Sequence, residues 1–353
     1  MLKEIQLKLG CVLFIVFMMA SAAASQVTGP CSDCHTMHNS QNNLAMTFDS
    51  SATPNSFLLR GTCLGCHAQG GSSRIVDGMP QVSHIDATDL AAGNFAYIWG
   101  GKGSGADDAK GHNVIDFGYL ENVLEKPPGG GHAPLREKLT CAGLNGCHGS
   151  VAETDALISL SGAHHEVSSV IDGRSVGTSY RFIDRVVGGE IDDWENRDSS
   201  HHNEYHGHKE PYSGLLCTNC HSAHHGAADG LPIHSTISDF CTKCHWKMHD
   251  IDTAGDGIWI RHPSDIIIPD AGEYASYTTY NIDAPVGREI VPAVSGGDNN
   301  IVTPGTDIVT CLSCHKAHGS DYPDILRWDY TAITAGGGES SSGCFICHST
   351  KDN

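Results

Sequence analysis

The sequence predicts a mostly irregular, coil-rich chain with short helices at repeated cysteine–histidine motifs and few short strands. Three observations lead there. The 353 residues are only 39% hydrophobic and include 41 Gly, too little apolar side chain for a large conventional core and few long helix-forming runs. Charged residues make up only 18%, so the chain does not read as a charged disordered polymer either. The excess lies in 15 Cys and 23 His, which points to bound metal, bound cofactor or heavy cross-linking.

Residues 1–24 read as a secretory signal peptide. Lys3 and Lys8 make a basic start, Val12 to Ala20 is an apolar run, and Ala22, Ala23 and Ala24 offer small residues for cleavage before Ser25. A membrane anchor is the alternative, but the run falls short of the about 20 apolar residues that a span needs. Cys11 precedes the run, whereas a lipoprotein cysteine would follow it. No later stretch is long and apolar enough to span a bilayer, so residues 25–353 are expected to form one exported domain without a membrane span. Its 14 Cys would meet an oxidising compartment, the periplasm or the cell exterior.

Those cysteines fall into seven pairs, each followed at once by histidine. Six read C-x-x-C-H: Cys31/Cys34–His35, Cys63/Cys66–His67, Cys217/Cys220–His221, Cys241/Cys244–His245, Cys311/Cys314–His315 and Cys344/Cys347–His348. The seventh, Cys141/Cys147–His148, is stretched. C-x-x-C-H is the attachment signature of c-type haem. Two sulfurs one helical turn apart can each form a thioether with a haem vinyl group, and the next residue falls where an imidazole can bind the iron. Zinc knuckles would also use C-x-x-C pairs, and a secreted chain could form disulfides, but neither explains the histidine after every pair. Disulfide formation is a stronger rival at the stretched pair alone. Seven covalent haems c are therefore expected, with His35, His67, His148, His221, His245, His315 and His348 as proximal ligands. The haems would supply most of the buried apolar surface.

Sixteen further histidines are available for the distal positions, against four Met beyond the leader, so bis-histidine ligation and low reduction potentials are expected. His38, His224 and His318 lie three residues after a proximal histidine, and His249 lies four after. On a helix such neighbours share a face, so each would reach the next haem rather than its own and draw haems into close pairs. His112 and His262 stand alone in loops where ligation would explain them. Of the doublet His164/His165, one is expected to bind. The run His201-His202-Asn203-Glu204-Tyr205-His206-Gly207-His208 offers His202. His84, His132, His225 and His234 are weaker candidates.

The intervals 68–140, 149–216 and 246–310 are rich in Gly, Pro, Asp and Ser and read as loops. Within them Ser179–Ile183 and Gly257–Ile260 have the β-branched and aromatic character of strands. Asp250, Asp252 and Asp256 suggest a calcium loop but lack the full EF-hand spacing and its closing Glu, so a plain turn is the simpler reading. The formal net charge of −20 excludes nucleic acid and anionic membrane as partners, since both need a basic face.

The opening Cys31-Ser-Asp-Cys34-His35-Thr-Met-His38-Asn-Ser40, followed by Leu58-Leu59-Arg60-Gly61 ahead of the second motif, resembles the extracellular cytochrome filament (nanowire) family of metal-reducing bacteria. The likeness is specific over residues 31–67 and looser beyond, and this chain departs from it in carrying seven motifs. The resemblance implies haems stacked in a continuous row that passes electrons to redox partner proteins or extracellular acceptors. It also implies a homopolymer in which the residue at the place of His38 crosses to a haem of the adjacent subunit. The expected function is electron relay with no catalytic residues. The rival is a multihaem reductase of nitrite, hydroxylamine or a sulfur oxyanion, which needs one haem with an open iron position. A haem-free storage or structural protein is the third reading.

Overall fold

The computed structural model describes residues 29–118, 126–129, 138–166, 170–191, 197–208, 236–248, 262–294, 297–336 and 342–351, together with Val27, Leu124 and Trp194. Coil predominates among them, as the composition predicts. The described α-helices are α1 (Cys31–Cys34), α2 (Cys63–His67), α3 (Ala156–Ser159) and α4 (Ile237–His245). Three of them carry a motif. The C-x-x-C spacing needs one turn and no more, and local caps supply it. Thr62 accepts from the Gly65 amide at the start of α2, and Thr236 accepts from the Asp239 amide at the start of α4. Helix α1 stops at His35, whose backbone is extended (φ −116°, ψ 153°). The motifs at Cys311 and Cys344 use single 3-10 turns, Cys311–Ser313 and Gly343–Ile346.

The stretched motif forms no helix. Cys141 lies on β3 (Thr140–Ala142) and Cys147 on β4 (Gly146–His148), numbered after the hairpin β1 (Ile75–Val76) and β2 (Met79–Pro80). Strands β3 and β4 pair in parallel, Thr140 against Gly146 and Ala142 against His148. Gly143, at φ +87°, turns the chain so that it closes this loop. The three extra residues between the cysteines thus lengthen the sequence separation but return the two cysteines to adjacent strands.

The largest sheet is small: β5 (Gly188–Gly189), β6 (Glu204–His206), β8 (Val286–Arg288), β9 (Ile308–Val309) and β7 (Ile266–Ile267), in that order. Among the described residues the buried apolar side chains form three separate clusters rather than one core. One surrounds Tyr277, Tyr280 and Val286, one Tyr180, Val186 and Tyr205, and one Phe95, Ile98 and Val114. Distant segments meet at a glycine junction: Gly319 bridges both Gly93 and Gly111. A Cβ on Gly319 would lie 2.8 Å from the carbonyl oxygens of Asn94 and of Lys110, so only glycine lets the three backbones touch. This junction sets His318 and His112 beside each other, and the His112 amide bonds the His318 carbonyl at 3.2 Å.

Two expectations need correction. Ser179–Ile183 is not a strand; Tyr180–Phe182 is a tight turn with Arg181 and Phe182 at φ 48° and 58°. The reversal aims the Arg181 carbonyl at His148, a demand that β propensity does not reveal. His38 and His318 do not share a helix with the histidine three before them. The chain leaves the motif in extended form, His35 bridging Leu59 and His315 bridging Leu326. The leader 1–24, Asp250–Asp256 and Gly257–Ile260 lie outside the described residues.

Candidate haem sites built from paired histidines

Five motif histidines each face one histidine from elsewhere in the chain. The ring centres of His35 and His165 are 6.0 Å apart, of His67 and His164 6.3 Å, of His148 and His318 6.2 Å, of His245 and His112 6.0 Å, and of His348 and His262 6.1 Å. Two imidazoles binding one metal end-on hold each nitrogen at about 2 Å and each ring centre about 1 Å farther out, so the centres stand roughly 6 Å apart. Direct stacking would bring rings closer, as the 3.4 Å separation of His202 and Tyr280 illustrates. The donor set therefore fits an iron held between two histidines, with the motif cysteines beside one of them.

On most of these histidines the outward nitrogen is also committed. Nδ1 of His35 donates to the Phe57 carbonyl (3.1 Å), of His67 to Pro80 (2.9 Å), of His148 to Arg181 (2.8 Å), of His245 to Pro128 (2.8 Å) and of His315 to Asp324 (2.7 Å). His112 and His262 likewise donate to the carbonyls of Ala317 and Pro263, at 2.7 and 3.1 Å. Such a bond fixes the tautomer and leaves Nε2 with its lone pair free for a metal. His348 differs, because its Nδ1 meets the Glu273 carboxylate at 3.0 Å. Burial, then neighbouring histidines, push the His164 ring down to about 4 and the His318 ring down to about 3.

Three of those carbonyls share one device. Phe57, Arg181 and Asp324 each open a left-handed pair, at φ 56°, 48° and 58°, with Leu58, Phe182 and Ile325 following. The third residue of each, Leu59, Ile183 or Leu326, then bridges the motif at His35, Gly149 or His315. Sequence reading missed these turns as functional. The visible signal was the echo of Leu58-Leu59-Arg60 in Ile325-Leu326-Arg327. Both arginines tie back to their motif, Arg60 to the Ser32 carbonyl and Arg327 to the Leu312 carbonyl.

The cysteines link the motifs in succession. Burial and then Cys34 push the Cys66 thiol up; burial, Asp116 and then Cys63 raise Cys141. Burial and then Cys244 push Cys147 up to about 11. Cys241 and Cys311 share a hydrogen bond, which raises the Cys241 thiol and lowers Cys311. Burial and then Cys344 push Cys314 up to about 12. Among the described residues the six motifs thus neighbour one another in order, each inner one using one cysteine toward the described motif before it and the other toward the described motif after it.

The remaining candidates separate clearly. Both members of the His164/His165 doublet face a motif histidine, where only one was expected to. His202 faces none. It is fully buried, with Nδ1 3.2 Å from the Asp198 carbonyl, Nε2 2.9 Å from Glu204 and its face against Tyr280. Both nitrogens and one face are engaged, so His202 belongs to a structural network with Glu204 and Arg288 rather than to an iron. His38 is exposed. Cys217, Cys220, His221, His224 and His249, with the weaker candidates His132, His225 and His234, lie outside the described residues. His84 is buried and its Nε2 meets no hydrogen-bond partner. Among the described residues no helix is long and apolar enough to cross a membrane.

The model of a doubled CXXCH motif matches residues 304–353. The C-type cytochrome OmcS of Geobacter sulfurreducens is 24% identical over 411 aligned positions, covering 97% of this chain and 90% of that protein. Two solved structures are similar over 93% of both chains at 18% identity: an outer membrane cytochrome S filament and a cryo-EM structure of OmcS nanowires, both from Geobacter sulfurreducens, with TM-scores of 0.49 and 0.46. Motif, relative and paired histidines agree: the chain binds haem c and resembles the OmcS-type multihaem c-type cytochromes.

Proposed function

We propose that the chain relays single electrons along a row of seven covalently attached haems, each gripped by two histidines. The observation that carries this reading is the set of five histidine pairs at 6.0–6.3 Å, each joining a motif histidine to one outside the motifs. Haem iron supplies reversible one-electron exchange when bound. The polypeptide does the rest. The cysteines anchor and order the sites, the paired histidines fill both axial positions, and the carbonyl-bonded Nδ1 atoms fix ring orientation. At these five sites both axial positions would be filled, leaving no open iron position there for a substrate, which favours a carrier over a reductase. The stretched motif is included because His148 and His318 have the same spacing as the other pairs.

The homopolymer reading rests on two unmatched residues. His315 has its Nδ1 bonded to Asp324, yet no second histidine ring faces it among the described residues. His38 is exposed beside Met37, which is 80% exposed, and no motif histidine faces it among the described residues. In this reading His38 of one copy completes the site at His315 of the next, joining the rows end to end outside the cell. Electron microscopy of the haem-loaded protein tests it. Filaments in the native chain and dispersed subunits in His38→Ala are expected. Monomers alone, with haem spectra unchanged by His38→Ala, would refute polymerisation. Carbon monoxide binding that persists in assembled material would favour the reductase.

A further inference from the structure

Among the described motif histidines, five donate Nδ1 to a neutral backbone carbonyl and His348 alone meets a carboxylate, Glu273, at 3.0 Å. We infer that Glu273 is a positioning residue that loads electron density onto the His348 imidazole and gives the C-terminal site a lower reduction potential than a carbonyl-bonded histidine would. The inference rests on the haem reading above and deepens it.

The physical chain is short. A hydrogen bond to an ionised acceptor is stronger than one to a neutral carbonyl. It makes the imidazole a more basic ligand, and a more basic ligand favours the oxidised over the reduced metal. The carboxylate is held on purpose-built backbone. Gly272, at φ +66°, opens the turn Gly272–Tyr274, and the Ser349 amide and hydroxyl both donate to the Glu273 carbonyl. This second tie locks residue 273 to the residue immediately after His348. Tyr274 packs its ring 5.0 Å from the His348 ring, and His262 stands on the far side at 6.1 Å. Lys351 approaches the other carboxylate oxygen at 3.6 Å but is 62% exposed, so water weakens its pull on that charge.

Cys344 and Cys347 belong to the last of the six described motifs, so the site with the lowered potential stands at one end of that described succession. An electron there is held less firmly than it would be at the same site with a carbonyl in the place of Glu273.

The test uses the full haem-loaded chain and its Glu273→Gln and Glu273→Asp variants, with intact mass counting attached haems and spectropotentiometric titration resolving the components. The expected result is an unchanged haem count. One component of Glu273→Gln should rise by about tenfold in its equilibrium constant, about 59 mV for one electron, with Glu273→Asp close to native. Lys351→Met, which frees the carboxylate for His348, should move the same component down. Superimposed titrations in Glu273→Gln and Lys351→Met at full haem count would overturn the inference. A bare-chain mass in the native protein would instead overturn the haem reading itself.

Discussion

Replacing His318 with alanine probes the stretched motif and the pairing rule together. His318 comes from the loop after the Cys311/Cys314 motif, yet its ring faces His148 at 6.2 Å. It also lies against Phe95 at 4.7 Å, and its amide bonds the Ala92 carbonyl at 2.7 Å. His318→Ala keeps the backbone bonds and removes only the ring. The cavity beside Phe95 costs about 2 kcal/mol, well within the about 5–15 kcal/mol that stabilises a typical domain. The haem-loaded variant should therefore fold. One site of the seven should become five-coordinate, so about one seventh of the reduced haem should bind carbon monoxide and the corresponding low-spin absorbance should be lost. The assignment follows from combination. Adding Cys141→Ala and Cys147→Ala should abolish the carbon monoxide signal, because the haem that His318 uncovers is no longer attached. Adding Cys344→Ala and Cys347→Ala should leave it intact. If His318→Ala creates no carbon-monoxide-binding haem, or if the signal survives loss of Cys141 and Cys147, the pairing is wrong.

Three further outcomes are expected. His202→Gln should leave the haem absorbance and carbon monoxide behaviour unchanged while lowering stability by about 1–3 kcal/mol in a denaturant titration, because it disturbs the buried hydrogen bond to Glu204; a new high-spin haem would make His202 a ligand after all. Gly319→Ala should cost about 1–3 kcal/mol and disturb the sites of both His318 and His112, since its Cβ would meet two carbonyl oxygens at 2.8 Å; native haem spectra and an unchanged melting curve would contradict the close backbone contact. Asp155 caps α3 by accepting from the Leu157 and Ile158 amides at 2.8 and 3.0 Å, and the bond from Ile158 leads the contributions that hold its carboxyl below the ordinary value of 3.8. Its folded value is depressed, so its contribution is present above pH 3.8 and fades as the pH falls through the lower folded value. The Asp155→Ala penalty, about 1 kcal/mol near neutrality, should shrink in melts run below pH 3.8, and a penalty independent of pH would contradict the ionised cap.

The local chemistry was legible and the long-range pairing was not. Cysteine spacing and the following histidine are consecutive residues, so the motif, its single turn and the proximal ligand can be read directly. The partners of His35 and His67 come from the doublet His164/His165, about a hundred residues away, and no periodicity links them. The helix-face argument sent His318 to a different site for the wrong reason: extended backbone after His315, pinned to Leu326, carries it there. His202 was misleading because it stands in a run with three other histidines, His201, His206 and His208, whereas its burial against Glu204 and Tyr280 depends on β6 and on the segment before β8. The left-handed turns at Phe57, Arg181 and Asp324 were hidden because those residue types do not advertise positive φ as glycine does.

Covalently held haem is the claim on which every site assignment depends. Intact mass spectrometry of the secreted protein, paired with a pyridine haemochrome assay, tests it most directly. The account predicts a chain heavier than its mature polypeptide by seven haems, with a haemochrome yield to match and all seven six-coordinate at rest in the assembled form. A mass equal to that of the bare polypeptide, with no Soret absorbance after expression in a host that matures c-type cytochromes, would contradict it.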